Sequence, residues 1–251
     1  MRCPCFFLSL LALVPPGVAR AAANPLQRSR QCIVVEAANW NSPRGVLRAF
    51  ERTNADGLWK MRDREIPVVL GKKGLGWGSG LVNADPKATP RKIEGDNKVP
   101  AGVFRLGPVF GYAPANSARW VKLQYLPLTK NIEGIDDSRS RYYNRLVDRL
   151  KVARVDWRSS EKMRRDDHLY KWGLVVAHNP SATPGAGSCI FLHIWKDSST
   201  STAGCTAMAE GDLVNLLRWL KPAARPILVQ MPRGNYPAFQ SKLALPAIAL
   251  P

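Results

Sequence analysis

Long apolar runs are scarce in this 251-residue sequence. The longest, from Phe6 to Val14, is shorter than the roughly 20 residues needed to span a hydrocarbon core of about 30 Å. The tail LALPAIALP is short and broken by proline. A transmembrane helix is therefore not expected. No stretch repeats at a period of 20 to 50 residues, which argues against solenoids and arrays, and no low-complexity tract interrupts the chain. Acidic residues are few, 19 against 37 Lys and Arg, giving a formal charge of +18. Such a surface favours anionic partners. The basic residues are dispersed rather than clustered, so nucleic acid is not the expected partner.

The first residues, MRCPCFFLSLLALVPPGVARAAANPLQ, carry one early positive charge at Arg2, then the apolar run, then small residues at Ala19, Ala21 and Ala23. That order reads as a secretory signal peptide over residues 1–23. Cys3 and Cys5 precede the apolar run and no cysteine stands just after it, so a lipoprotein form is not expected. The remaining 24–251 segment is expected to form a single domain, since 45% apolar content supplies one substantial core. Loss of Arg2 and Arg20 with the signal leaves +16. A secreted chain of that charge meets an anionic cell-wall surface, with no stable membrane insertion after cleavage.

Cleavage would leave Cys32, Cys189 and Cys205. An odd number in an oxidising compartment leaves at least one thiol free. Cys32 (QCIVVEA) and Cys189 (SCIFLHIW) lie in strand-like apolar runs and read as core residues, with mutual pairing as an alternative. Short alternating segments such as CIVVEA, REIPVVLGK, RWVKLQYLPL, WGLVVAH and PILVQMP predict a β-rich domain. In RWVKLQYL, Val121, Leu123 and Tyr125 share one face. One helix is clear: Leu213, Leu216, Leu217 and Leu220 repeat with helical spacing, Asp212 is a plausible cap and Pro222 a stop. The stretch around Tyr142, Leu146 and Leu150 fits either a helix or an extended loop.

The strand GSCIFLHIWK puts Cys189, Phe191, His193 and Trp195 on one face and Ile190, Leu192 and Ile194 on the other. The polar loop DSSTSTA must then cross the surface before Gly204 and Cys205. A strand-end imidazole and a thiol after a return loop can meet in space. Backbone N–H groups of Ala203, Gly204 and Cys205 are candidates for an oxyanion hole. A thiol near an imidazole and a helix start is expected to carry more thiolate than a free one. The bland reading is a buried cysteine and a satisfied structural histidine. His178 and Asn179, ending WGLVVAHN, fit either a substrate cleft or a core histidine. His168 reads as solvated, and Tyr143, Asn144 and Asp137 as shaping either a groove or the fold.

The run FLHIWKDSSTSTAGCTAM resembles the catalytic motif of the L,D-transpeptidase family (YkuD-type domain), a strand histidine followed by a Ser/Thr-x-Gly-Cys turn, here Thr202 to Cys205. KIEGDNKVPAGVFRLG, DDSRSRYYNRLVD, DWRSSEKM and YKWGLVVAHN are similar to further segments of that family, together spanning roughly Arg48 to Leu220. The resemblance implies a mainly β, bent-sheet or sandwich-like fold with a small helical cap. It implies a periplasmic or cell-wall enzyme, secreted across the inner membrane, that acts on peptidoglycan stem peptides. Cys205 would form the thioester and His193 would be the general base, with no cofactor and no metal. Trp195, Thr202, His178 and Asn179 would line the substrate cleft. Ala203 and Ala207 stand where many members carry a histidine and a polar residue, so a hydrolase (L,D-carboxypeptidase or endopeptidase) using the same pair is the alternative.

Overall fold

The β-branched run of QCIVVEA is buried along its whole length, all seven residues of β1 (Gln31–Ala37) being covered. A strand that is apolar without alternation needs cover on both faces. β1 has it, with Cys32, Ile33, Val34 and Val35 all in the main core, and its two edges are paired as well, antiparallel to β2 (Arg44–Glu51) and parallel to β14 (Ile227–Pro232). The computed structural model describes residues 24–248, so the signal-peptide expectation for residues 1–23 lies outside the described residues.

Between these elements the chain forms β3 (Lys60–Met61), β4 (Ile66–Val69), β5 (Leu75–Trp77), β6 (Val99–Gly111), β7 (Tyr125–Pro127), β8 (Ile132–Gly134), β9 (Leu146–Asp148), β10 (Glu161–Lys162), β11 (Trp172–Val176), β12 (Phe191–Ile194) and β13 (Thr206–Met208). Two helices follow β13: α1 (Glu210–Trp219) and α2 (Tyr236–Leu243), on either side of β14. Hydrogen bonding runs β1-β14-β6-β11-β12-β13-β4-β2 and returns to β1. The mainly β reading thus holds, and where a bent or sandwich-like sheet was expected the sheet closes into a barrel accompanied by a few small helices. Closure leaves no long free edge along this ring.

The main core gathers Ile33, Val34, Phe104, Leu174 and Leu192 from the strands with Leu213, Leu216 and Leu217 from α1. The leucine spacing of α1 is therefore a buried stripe, as expected. Its cap is not: the N-cap is Ala209, and Asp212 lies in the first turn, paired with Arg64 at 2.6 Å. RWVKLQYL also departs from a single strand. Only Tyr125–Pro127 pairs, because residues Ala115–Ala118 form a 3-10 turn and Trp120 folds edge-on against Trp172, 4.9 Å between ring centres.

After β6 the chain lays β7 along it and then leaves the barrel, residues 129–171 carrying a separate three-stranded sheet ordered β10-β8-β9 before β11. The ambiguous Tyr142–Leu150 stretch belongs here and is a turn followed by β9, with no helix. This lobe is tied by charge. Glu133 accepts hydrogen bonds from Trp157 Nε1 (2.7 Å), Ser160 Oγ (2.9 Å), Arg149 (3.0 Å) and Lys162. Between lobe and barrel lies a second apolar cluster of Phe110, Leu128, Ile132, Met163, Tyr170 and Phe191. It forms because Gly173 has no side chain: a Cβ there would lie 2.2 Å from the Phe110 ring.

Candidate active site

β12 alternates as its sequence requires. Leu192 and Ile194 enter the main core, while Phe191 joins the second cluster and His193 follows it on the same face. β13 runs parallel to β12, pairing Leu192 with Thr206 and His193 with Ala207. Parallel neighbours cannot be joined by a tight hairpin. The polar 195–205 crossover therefore travels back along the sheet and delivers Cys205 at the entry of β13, level with Phe191. Phe191 N–H donates to Cys205 Sγ at 3.3 Å. His193 and Cys205 consequently share one face of adjacent strands, and both line a cavity of ≈ 550 Å³.

The crossover is held at both ends. Asp197 accepts from the backbone N–H and hydroxyl groups of Ser199 and Thr200, which orders the exposed turn. Thr202 bridges to Gly71, and its hydroxyl donates to the Cys205 carbonyl at 2.5 Å. Thr202 Oγ1 also accepts the Gly204 N–H at 3.2 Å, so within the Ala203–Cys205 trio this donor is engaged inside the turn. Thr202, Trp195, Ala203, Gly204 and Ala207 all border the cavity, as the sequence suggested for the first four.

His193 is 7% exposed, and its Nδ1 lies 2.7 Å from the Ile194 carbonyl oxygen. A carbonyl only accepts, so Nδ1 carries the proton and Nε2 the lone pair. Burial holds the imidazole down to about 4, reinforced by the positive charge of Arg165 and opposed by the Ile194 carbonyl and Asp167. Burial pushes the Cys205 thiol up to about 12, and the charge of Glu161 adds to the rise, against the Phe191 N–H and Lys92. The expectation of an enhanced thiolate is thus corrected. α1 begins only at Glu210, too far along to bear on the sulfur, and desolvation dominates. The resting pair is a neutral thiol beside a neutral imidazole, a state in which proton transfer accompanies attack on a substrate.

The wall facing these strands comes from the lobe and was not found from sequence. Tyr170 sets its ring edge-on to His193 at 5.2 Å and to Phe191 at 5.7 Å, and its hydroxyl donates to Glu161 Oε1 at 2.6 Å. Arg165 grips Asp167 (2.7 Å) and reaches Glu161 at 3.5 Å. On another side Glu94 accepts from Ser188 Oγ (2.7 Å) and from the Tyr143 hydroxyl, while the buried Lys92 pairs with Asp96 at 2.6 Å. These charged residues sit in EKMRRDDHLY and RKIEGD, where local pattern resembles any solvated face. Only the fold brings Lys92, Glu94, Glu161 and Arg165 to the cavity.

Three expectations need revision. Cys189 is not a core strand residue: it lies outside β12 in a left-handed conformation, φ 52°, and borders the cavity. Its N–H donates to Asn144 Oδ1 at 2.9 Å, and its sulfur occupies space that Gly134 leaves open, 3.0 Å from where a Cβ would stand. Cys32 is fully buried in β1, and the two cysteines are unpaired. His178 and Asn179 do not line the cavity. His178 Nε2–H donates to the Ala186 carbonyl at 2.9 Å under Phe104, and Asn179 braces the following loop through Thr183 and Gly187. Both are almost wholly buried, which makes them supports of the loop that presents Ser188 and Cys189. Asn144 joins them, donating to the carbonyls of His178 and Asn179. Tyr143 acts through Glu94, and Asp137 accepts from the Arg158 N–H at 2.9 Å; it is Asp136 that borders the cavity.

Among the described residues, no group of three or more His, Cys, Asp or Glu side chains is gathered as for a metal ion, and no helix is long and apolar enough to cross a membrane. No protein-family model matches the sequence, and neither a curated protein nor a solved structure matches it.

Proposed function

We propose that this protein is a secreted cysteine acyltransferase of the L,D-transpeptidase class, acting on peptidoglycan stem peptides. The observation that carries the reading is the meeting of Cys205 and His193 on one wall of a cavity large enough for a peptide end. In the reaction, Cys205 Sγ attacks the carbonyl between the L- and D-centres of a tetrapeptide stem. Its proton passes to His193 Nε2 as the C–S bond forms, and then to the nitrogen of the departing D-amino acid. The Ile194 carbonyl keeps the imidazole in the tautomer this requires. Backbone N–H groups at Ala203 and Cys205 are the donors proposed for the developing oxyanion, each worth a few kcal/mol when well placed. The resulting thioester is taken by an amine of a second stem.

Burial of the thiol suits a closed site in which desolvation strengthens these contacts. The excess of positive charge over the molecule suits an anionic wall surface. The closed barrel with two small helices is compatible with the β-rich catalytic fold that the motif implies. A carbapenem tests the assignment without knowledge of the natural substrate: its strained amide should acylate the protein once, at Cys205, with slow kinetics. Intact mass followed by peptide mapping reads the adduct. An adduct on Cys32 or Cys189, or none on folded protein, overturns it. Product analysis with defined tetrapeptide muropeptides separates cross-linking from the hydrolytic alternative.

A further inference from the structure

An amine that takes an acyl group from a thioester arrives at neutral pH as an ammonium and has two protons to lose. One must leave before the nitrogen has a lone pair to attack with. The other leaves as the C–N bond forms, and its destination is clear: through His193 Nε2 to the sulfur released when the C–S bond breaks. The first proton needs a different base. His193 offers one lone pair only, since its Nδ1–H is committed to the Ile194 carbonyl, and burial disfavours charge on the ring.

Three carboxylates border the cavity: Glu94, Asp136 and Glu161. Glu94 Oε2 already accepts from the Tyr143 and Ser188 hydroxyls, and Asp136 Oδ1 accepts from Ser159 Oγ at 2.6 Å. Each of the three keeps one oxygen to which no donor among the described residues reaches; on Glu161 it is Oε2, because its contacts with Tyr170 and Arg165 both fall on Oε1. Glu161 alone among them is joined to the base, because the Tyr170 ring whose hydroxyl donates to it meets the His193 ring edge-on.

Resting on the acyl-transfer reading above, we propose that Glu161 is the base for the acceptor, drawing the incoming ammonium into the cavity and taking its first proton. The freed amine then attacks the thioester carbonyl. The C–N bond forms, the C–S bond breaks, the second proton passes through His193 to Cys205, and Glu161 returns its own proton to water. Burial raises the Glu161 carboxyl above its ordinary range; Tyr170 and Arg165 oppose this, and the charges of Asp136 and Asp167 add to it. A carboxylate so placed is a better proton acceptor than a free one.

The test supplies the purified protein with a defined tetrapeptide donor and one of two acceptors. Propylamine is an ammonium at neutral pH, whereas methoxyamine is already unprotonated and needs no such base. Glu161→Gln is expected to lower transfer to propylamine by about 100-fold while transfer to methoxyamine falls by less than about threefold, a split that general-base loss produces and a structural defect does not. Equal loss with both acceptors, or no loss with either, overturns the proposal. Should the Gln variant fail to fold, Glu161→Asp carries the same comparison, with a smaller selective loss for propylamine expected and an equal loss overturning it. Wild-type protein that forms no acyl-enzyme and releases no D-amino acid removes the acyl-transfer reading itself. Wild type that acylates but passes the acyl group only to water removes the role of Glu161 alone.

Discussion

The barrel and the 129–171 lobe are built from different forces. In the barrel, β1 buries all seven of its residues and the leucines of α1 complete a broad apolar core. In the lobe, three short strands are knotted around the carboxylate of Glu133, with Trp157, Ser160, Arg149 and Lys162 as donors. An apolar core fails by cavity formation. A charge-tied sheet fails by protonation or loss of a partner. Cys205 and His193 stand on barrel strands, while Glu161, Arg165 and Tyr170 come from the lobe, so the cavity needs both.

Removing the chemistry while sparing both regions gives the largest effect. Cys205→Ala should abolish acylation and leave the thermal transition close to wild type, since the sulfur makes only weak contacts with Phe191 N–H and the Cys189 carbonyl. Turnover near wild type in the variant would remove the thiol from the mechanism. His193→Ala should lower the acylation rate by about 100- to 10,000-fold. Because burial holds this imidazole down to about 4, wild-type acylation should keep its rate well below the ordinary histidine range as pH falls. An acid limb near 6.5 would show a solvated base.

Stability measurements then separate the two regions. Leu217, fully buried on α1, should cost about 2–5 kcal/mol when changed to Ala and should lower protection across the barrel. Glu133→Gln should cost about 1–3 kcal/mol, with faster amide exchange confined to residues 130–163. Exchange that rises equally in β1 and β14 would mean that the lobe and barrel unfold as one.

The pH dependence of stability divides the same way. His178 and His193 both have folded values of about 4, below the unfolded 6.5. The unfolded chain takes up protons first as pH falls, so their contribution is complete above 6.5 and is lost between 6.5 and about 4. In the lobe, burial raises Glu133, but hydrogen bonds from Lys162, Trp157 and Ser160 outweigh it and leave a net lowering. The Arg158 and Arg139 N–H groups bring Asp137 down to about 2. These contributions are present above the ordinary carboxylate range and are lost below it. Denaturation midpoints and local exchange between pH 7 and 2 should therefore fall in two stages, the lobe loosening in the second.

The barrel was legible because period-two alternation and the leucine spacing of α1 are local signals that burial reads directly. FLHIW gave the correct face for His193 since a strand of four residues fixes its own sidedness. Closure was not legible: β1 pairs with β2 nearby, but its pairing with β14 joins residues nearly two hundred positions apart. Cys189 was misjudged because its apolar neighbours Ile190 and Phe191 suggest that the strand begins earlier, whereas its left-handed backbone places it in the preceding loop. Glu161 and Arg165 gave no signal, since charged residues in a short polar strand and the loop after it look solvated until the lobe folds over the barrel.

Gly173 carries this dependence further than its size suggests. The Phe110 ring lies across it, and from Phe110 the rings of Phe191, Tyr170 and His193 follow in edge-on contacts of 5.0, 5.7 and 5.2 Å. A single methyl at position 173 would reach the first ring and propagate to the imidazole without touching the cavity. Sequence drift at the mouth of the cavity is therefore less constrained than drift at this hidden hydrogen atom, and a library screened for activity should lose diversity at position 173 before it does at Ala203.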